Sequence, residues 1–179
     1  MLGFRTKNTF AVWITGLPAS GKSTIAAELR TQLAARGVEV AVLESDELRK
    51  IFTPRPHYDP EERDALYRKM VYAGALLTRH GVPVIFDATA NRRAYRDRAR
   101  QEIPKFLEVY VECPLETCVA RDPKGIYRRA REGAAATVPG LQAEYEAPEK
   151  PGVVLHGDRD TPEDGARKII AKLTELNYV

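Results

Sequence analysis

No apolar run in this sequence approaches the roughly 20 residues needed to cross a bilayer, so no transmembrane helix is expected. Cysteine is scarce: the only two, Cys113 and Cys118, lie five apart. That spacing fits neither a CxxC redox pair nor a zinc knuckle, and both read as small core or site-lining residues in a reducing cytosol. Charge of one sign is lacking too. Lys and Arg total 28 against 25 for Asp and Glu, a net charge of +3. So small an excess does not predict nucleic-acid binding by bulk charge, although it leaves room for a local basic patch. The first residues reach a strand-like run too soon to hold a signal peptide, which points to the cytoplasm. What the chain does have is 44% apolar and 30% charged side chains over 179 residues. That is enough for a real core, and the length predicts one domain spanning residues 1–179.

Strand and helix signals alternate from end to end. Phe10 to Thr15 is a short apolar run closed by Gly16, as expected of a strand buried on both faces. Ser23 to Arg36 places Ile25, Ala26, Leu29 and Leu33 at helical spacing, and Gly37 stops it. Val38 to Leu43 predicts a second strand, followed by a polar segment through Arg49 and a Pro-rich loop from Thr53 to His57. Asp59 suits an N-cap, Pro60 the first turn and Glu62 a capping box, for a helix reaching about His80. Val82–Phe86, Phe106–Val111 and Val153–His156 predict three more strands, with an Arg-rich helix between the first two. A closing helix opens at Thr161 and Pro162. Such alternation implies βαβ units and a five-stranded parallel sheet with helices on both faces, a three-layer α/β sandwich. The stretch from about 122 to 151 is rich in Gly, Pro, Ala and Arg and reads as a lid or functional loop.

Residues Gly16-Leu17-Pro18-Ala19-Ser20-Gly21-Lys22-Ser23 match G-x-x-x-x-G-K-[ST], with Thr24 following. The motif falls where its mechanism needs it, after a buried strand and at the start of a helix. The glycines let the backbone curl so that successive N–H groups face phosphate oxygens, and the helix dipole adds positive potential. Lys22 would reach the β- and γ-phosphates of ATP, and the Ser23 hydroxyl would ligate Mg²⁺. No Asn/Thr-Lys-x-Asp guanine-reading tetrapeptide occurs, which disfavours a GTPase. Asp46 and Asp87 follow the second and third predicted strands. In an open parallel sheet those strand ends gather at the edge that holds the P-loop. Asp87 suits Mg²⁺, and Asp46 the acceptor hydroxyl; either could instead be a strand-end cap.

Arginines supply the remaining chemistry. Arg49 follows Asp46 by one helical turn, and Arg63 lies on the first turn of the long helix. The run from Arg121 to Arg131 includes Lys124 and could close over a γ-phosphoryl group as a basic lid. A second group, Arg92, Arg93, Arg96, Arg98 and Arg100, has the spacing of an exposed helix face, with room for one arginine near the site. It also leaves open a nucleic-acid end kinase, which a steep salt dependence of oligonucleotide binding would reveal.

The residues that carry a family resemblance are Gly16–Thr24, Leu43-Glu-Ser-Asp46-Glu-Leu-Arg49, Arg96-Asp-Arg-Ala-Arg100, Ala120–Arg131 and Tyr145-Glu-Ala-Pro-Glu149. Over nearly the whole chain they resemble the adenylylsulfate (APS) kinase family. The resemblance implies ATP-dependent phosphorylation of the 3′-hydroxyl of APS, a small anionic acceptor, to give 3′-phosphoadenylylsulfate (PAPS) with Mg²⁺. It implies that Asp46 serves the 3′-hydroxyl, that Arg49 and Arg63 hold the phosphosulfate, and that Lys124 belongs to the lid. It also places Arg121 beside the ATP adenine, with Tyr58, Val138 and Leu141 around the acceptor's base. The family is commonly dimeric, which implies a homodimer. Where the family has Ser-Pro after the third strand, this chain has Ala90-Asn91, so only direct in-line transfer is supported. Val138 stands where the family has a second stacking ring. Leu66 and Gln142 also depart from its pattern and favour, as an alternative, a kinase of the same build acting on another anionic acceptor.

Overall fold

The computed structural model describes residues 9–135 and 137–179. Five strands form one sheet in the order β2-β3-β1-β4-β5: β1 (Ala11–Gly16), β2 (Ala41–Glu44), β3 (Val84–Asp87), β4 (Phe106–Glu112) and β5 (Val153–His156). Every pairing is parallel. Among the described residues, seven helices connect or follow the strands: α1 (Lys22–Ala34), α2 (Ser45–Phe52), α3 (Pro60–Arg79), α4 (Arg93–Glu102), α5 (Leu115–Arg121), α6 (Ile126–Arg131) and α7 (Pro162–Glu175). The expected three-layer sandwich is present.

The two apolar layers follow from the two-residue period of the central strand. Val12 and Ile14 of β1 face α1 and α7, where Ile25, Leu29, Leu33, Ile169 and Leu173 are buried against them. Ala11 and Trp13 face the other way, against Tyr67, Met70 and Val71 of α3 and Tyr95 and Ala99 of α4. Burial of each such large side chain contributes about 1.5–3 kcal/mol. Trp13 stacks on Phe86 at 4.6 Å and donates its indole N–H to the Ala88 carbonyl (3.1 Å), so the ring spends no polar atom in the core. Gly74 lets α3 approach β3 closely, since a Cβ there would lie 2.2 Å from Phe86 Cζ.

Several boundaries differ from the sequence-based expectation. The second strand starts at Ala41 rather than Val38, because the Val38 amide closes the end of α1 by donating to the Leu33 carbonyl (3.0 Å). The polar segment after it is a helix, α2. The 122–151 stretch contains α6 and a bridge between Pro139 and Ala143. The α3 cap is half as expected: Asp59 accepts from the Glu62 amide (2.8 Å), but the Glu62 carboxylate reaches past Asp59 to the amides of His57 (2.6 Å) and Tyr58 (3.3 Å). Both cysteines are buried and free, and burial pushes the Cys118 thiol up to about 12. Among the described residues, no helix is long and apolar enough to cross a membrane.

Candidate active site

The carboxyl ends of β1, β2 and β3 open into a cleft of about 350 Å³. The P-loop forms its floor. Ala19 (φ 62°) and Gly21 (φ 103°) both take left-handed conformations, which curl the chain between β1 and α1. No side chain caps α1, so its first-turn amides remain for an anion, with the helix dipole behind them. The Ser20 hydroxyl is fully buried without a hydrogen-bond partner among the described residues. The loop is braced from outside: Gly157 packs so tightly that a Cβ there would lie 2.2 Å from the Ser20 carbonyl.

Lys22 is buried and donates to the Leu17 carbonyl (2.7 Å). Burial lowers its pKa, opposed mainly by the negative charge of Asp87. Asp87, at the end of β3, shows the mirror behaviour. Burial raises its pKa, while Lys22 and a hydrogen bond with Ser23 act against the shift. The two groups compensate one another in a site that water barely reaches. Asp46 lies across the cleft on the first turn of α2, paired with Lys124 (2.7 Å). Lys124 also approaches Glu44 (3.6 Å), and its bond to Asp46 raises its pKa. Glu44 ends β2 in register with Asp87, and burial with that neighbour raises its pKa.

A second group of predicted residues gathers beside the cleft. Arg49 is buried, bonded to Glu62 (2.8 Å), with its guanidinium 4.8 Å from the Tyr58 ring centre. Arg63 lies 5.9 Å from the same ring and donates to the Thr137 carbonyl (2.6 Å) and the Tyr58 carbonyl (3.0 Å). Burial lowers its pKa, which marks a guanidinium partly stripped of water. Arg121 lines the cleft and donates to the Gly157 carbonyl (2.8 Å). The segment carrying Lys124 hangs on the P-loop through Tyr127, whose hydroxyl donates to the Pro18 carbonyl (2.9 Å).

Val138 and Leu141 do not line the main cleft. Val138 is buried with Cys113, Cys118, Tyr127 and Ala130, and Leu141 is exposed beside a shallower hollow with Leu17 and Tyr145. The arginine-rich helix is the clearest correction. It is a solvated face only in part: Arg92 and Arg100 are exposed, but Arg96 is wholly buried against Glu108, Arg100 pairs with Glu108 and Asp97, and Arg98 with Asp64. Sequence reasoning gave Glu44 and Thr89 no role in the site and read Glu62 only as a cap. Glu44 was detectable as a carboxylate ending a strand beside Asp46, and Glu62 as half of a capping box.

A P-loop at the edge of a 2-3-1-4-5 parallel sheet, faced by carboxylates and a lysine-bearing segment, defines a P-loop phosphotransferase of the small-kinase type. The chain belongs to the adenylylsulphate kinase family, whose profile matches residues 8–156. It is 40% identical over 168 residues to an adenylyl-sulfate kinase of Microcystis aeruginosa, covering 94% of this chain and 93% of that one. It is 41% identical over 170 residues to a probable bifunctional SAT/APS kinase 2 of Sorangium cellulosum, of which it spans 29%. The APS kinase CysC of Mycobacterium tuberculosis, solved with AMPPNP and APS, superposes with a TM-score of 0.88 at 31% identity, covering 94% of this chain and 99% of that one.

Proposed function

We propose that this protein transfers the γ-phosphoryl group of ATP to the 3′-hydroxyl of adenylylsulfate, giving PAPS and ADP. The observation that carries this reading is family membership across the whole cleft, with Asp46 facing the P-loop over the gap where the two substrates would meet. ATP phosphates sit in the P-loop, with Lys22 on the β- and γ-phosphates and Gly16, Pro18, Ala19, Ser20, Gly21 and Thr24 framing them. Arg121 flanks the nucleotide base. The acceptor lies beside α2, its phosphosulfate on Arg49 and Arg63 and its adenine against Tyr58. For that anion to bind, Arg49 must share Glu62, which holds it in the absence of ligand.

In the transfer the acceptor 3′-oxygen forms the new bond to γ-phosphorus, the bond to the β–γ bridging oxygen breaks, and ADP leaves. Asp46 accepts or orients the departing hydroxyl proton once Lys124 has exchanged Asp46 for the phosphate charge. Segment 122–151 is the lid that delivers Lys124. Ser23 and Asp87 form a hard oxygen donor pair, hydrogen-bonded to each other at the P-loop, and they fit Mg²⁺, which takes one or two protein oxygens plus phosphates. Bound there, Mg²⁺ would neutralise charge on the β- and γ-phosphates. The two reduced, buried thiols suit a cytoplasmic location, and a homodimer is part of the proposal.

The test is ADP release with ATP and Mg²⁺, with and without APS, for wild type and Asp46→Ala. Strong APS-dependent turnover lost in the variant supports the reading. Intact ATP binding with no APS response overturns the acceptor assignment. A second reading, another anionic acceptor, is favoured by Val138, which is buried in its own apolar cluster instead of offering a face to a base. A panel of nucleotide and metabolite acceptors separates the two.

A further inference from the structure

α4 carries an arginine that the chemistry above does not use. Arg96 is 0% exposed and binds three different segments of the chain. Its Nε donates to Glu108 Oε1 of β4 (2.7 Å), one terminal nitrogen to the Glu146 carbonyl (2.7 Å), and the other to the Ala90 carbonyl. The guanidinium also lies 5.9 Å from the centre of the Tyr145 ring. A rigid planar fork reaches three separated acceptors from three nitrogens, whereas an ammonium on a flexible stem offers its three donors from one atom.

The segment at the far end of that fork is strained. Ala90 has φ 41°, a conformation that non-glycine residues rarely adopt and that persists only where the surroundings over-determine it. Its amide donates to the Tyr67 hydroxyl of α3 (3.0 Å) and its carbonyl accepts from Arg96 of α4, so the turn is gripped on both sides. Just before the turn, Asp87 and Thr89 line the cleft. The Thr89 carbonyl accepts from Thr15 Oγ1 (2.6 Å), which is itself 3.0 Å from the Tyr145 hydroxyl. Just after it, Asn91 donates its side-chain amide to the Glu144 carbonyl (2.9 Å), and its own carbonyl accepts from the Glu146 amide (2.8 Å). Stored strain three residues from a cleft-lining carboxylate, held by buried charge, points to function and not only to folding.

We propose that Arg96 is a positioning residue for phosphoryl transfer: it clamps the Ala90 turn and the returning 144–146 strap to β4, and so fixes where Asp87 and Thr89 face the P-loop. Arg96 touches no substrate. Its activity readout rests on the kinase reading above, while a second readout does not.

Arg96→Lys keeps a positive charge beside Glu108 but loses the fork. ATP affinity should stay within about threefold of wild type, because no P-loop contact involves Arg96, while kcat falls roughly 10–100-fold through misplacement of the site. Amide exchange at residues 88–91 should quicken in the ATP-bound protein. Adding Ala90→Gly to Arg96→Lys supplies a residue that takes the left-handed conformation freely. The double variant should regain most of the lost kcat while its melting temperature stays near that of Arg96→Lys. A merely structural arginine would not separate those two quantities. Unchanged kcat in Arg96→Lys, or a recovery that only tracks melting temperature, overturns the proposal. If wild type shows no APS-dependent turnover, the functional reading fails by itself and exchange at 88–91 decides for Arg96: quickened exchange supports the clamp, and unchanged exchange overturns it.

Discussion

Arg96 and Glu108 meet at 2.7 Å with side chains 0% and 6% exposed, whereas Lys124 and Asp46 meet at the same 2.7 Å with side chains 54% and 53% exposed. Distance alone would rank the two pairs equal. Solvent makes them opposites. Around Arg96 the protein has replaced water with fixed acceptors, so the pair is held in one geometry and separating it leaves a buried charge with no partner. Around Lys124 water competes at every step, so the pair forms and releases at little cost. The first arrangement suits a frame that must not move, and the second suits the proposed transfer, in which Lys124 trades a carboxylate for a phosphate.

That contrast can be broken at either end. The largest expected effect is on catalysis at the exposed pair: Asp46→Asn should lower kcat with APS by roughly 10²–10⁴-fold, with little change in melting temperature. A normal rate in this variant would remove Asp46 from the reaction. The buried pair should answer through stability instead. Glu108→Gln leaves the buried Arg96 without its counter-ion, while Arg100 keeps Asp97, and should cost about 3–5 kcal/mol in urea unfolding. A loss below 1 kcal/mol would mean that water already reaches Arg96. Packing beside that frame gives a smaller effect: Gly74→Ala forces a Cβ against the Phe86 ring and should cost about 1–3 kcal/mol. The smallest effect belongs to Lys124→Ala, expected to change stability by less than about 1 kcal/mol while reducing turnover. Because Asp46 raises the Lys124 pKa, the pair's small stabilisation is present below the lysine's ordinary value and is lost as pH climbs through the raised one. Urea titrations from neutral to strongly alkaline pH on wild type and Lys124→Ala should therefore converge only at the alkaline end.

Much of the site was legible because its logic is local. Gly16 to Thr24 carries turn, helix start, lysine and hydroxyl in nine consecutive residues, and the structure runs them without a break from the end of β1 into the first turn of α1. Asp46 and Asp87 were legible because parallel strands share a carboxyl edge, which strand order does not alter. The arginine-rich helix was misread for the converse reason. Charges at i, i+4 look like a solvated face unless one knows what packs opposite, and Glu108 lies on a strand. A clue was present in that strand itself: an acidic residue inside the apolar run Phe106–Val111, if buried, favours a cation packed against it. Glu62 was found as a cap, but its second role as the counter-ion of Arg49 needed the turn at Tyr58, which takes a left-handed conformation that residue type does not announce.

The sequence by itself determined the sheet's parallel character, the nucleotide loop and the identity of the carboxylates and cations, because each rests on short-range periodicity or on one contiguous motif. Only the tertiary structure decided which charges are fixed and which are free. Burial and partnership are set by residues brought together from across the chain, such as Arg96 with Glu108 and Glu146, and Lys124 with Asp46. The energy of a charge depends on how much water remains around it. Spacing along a chain does not encode that quantity.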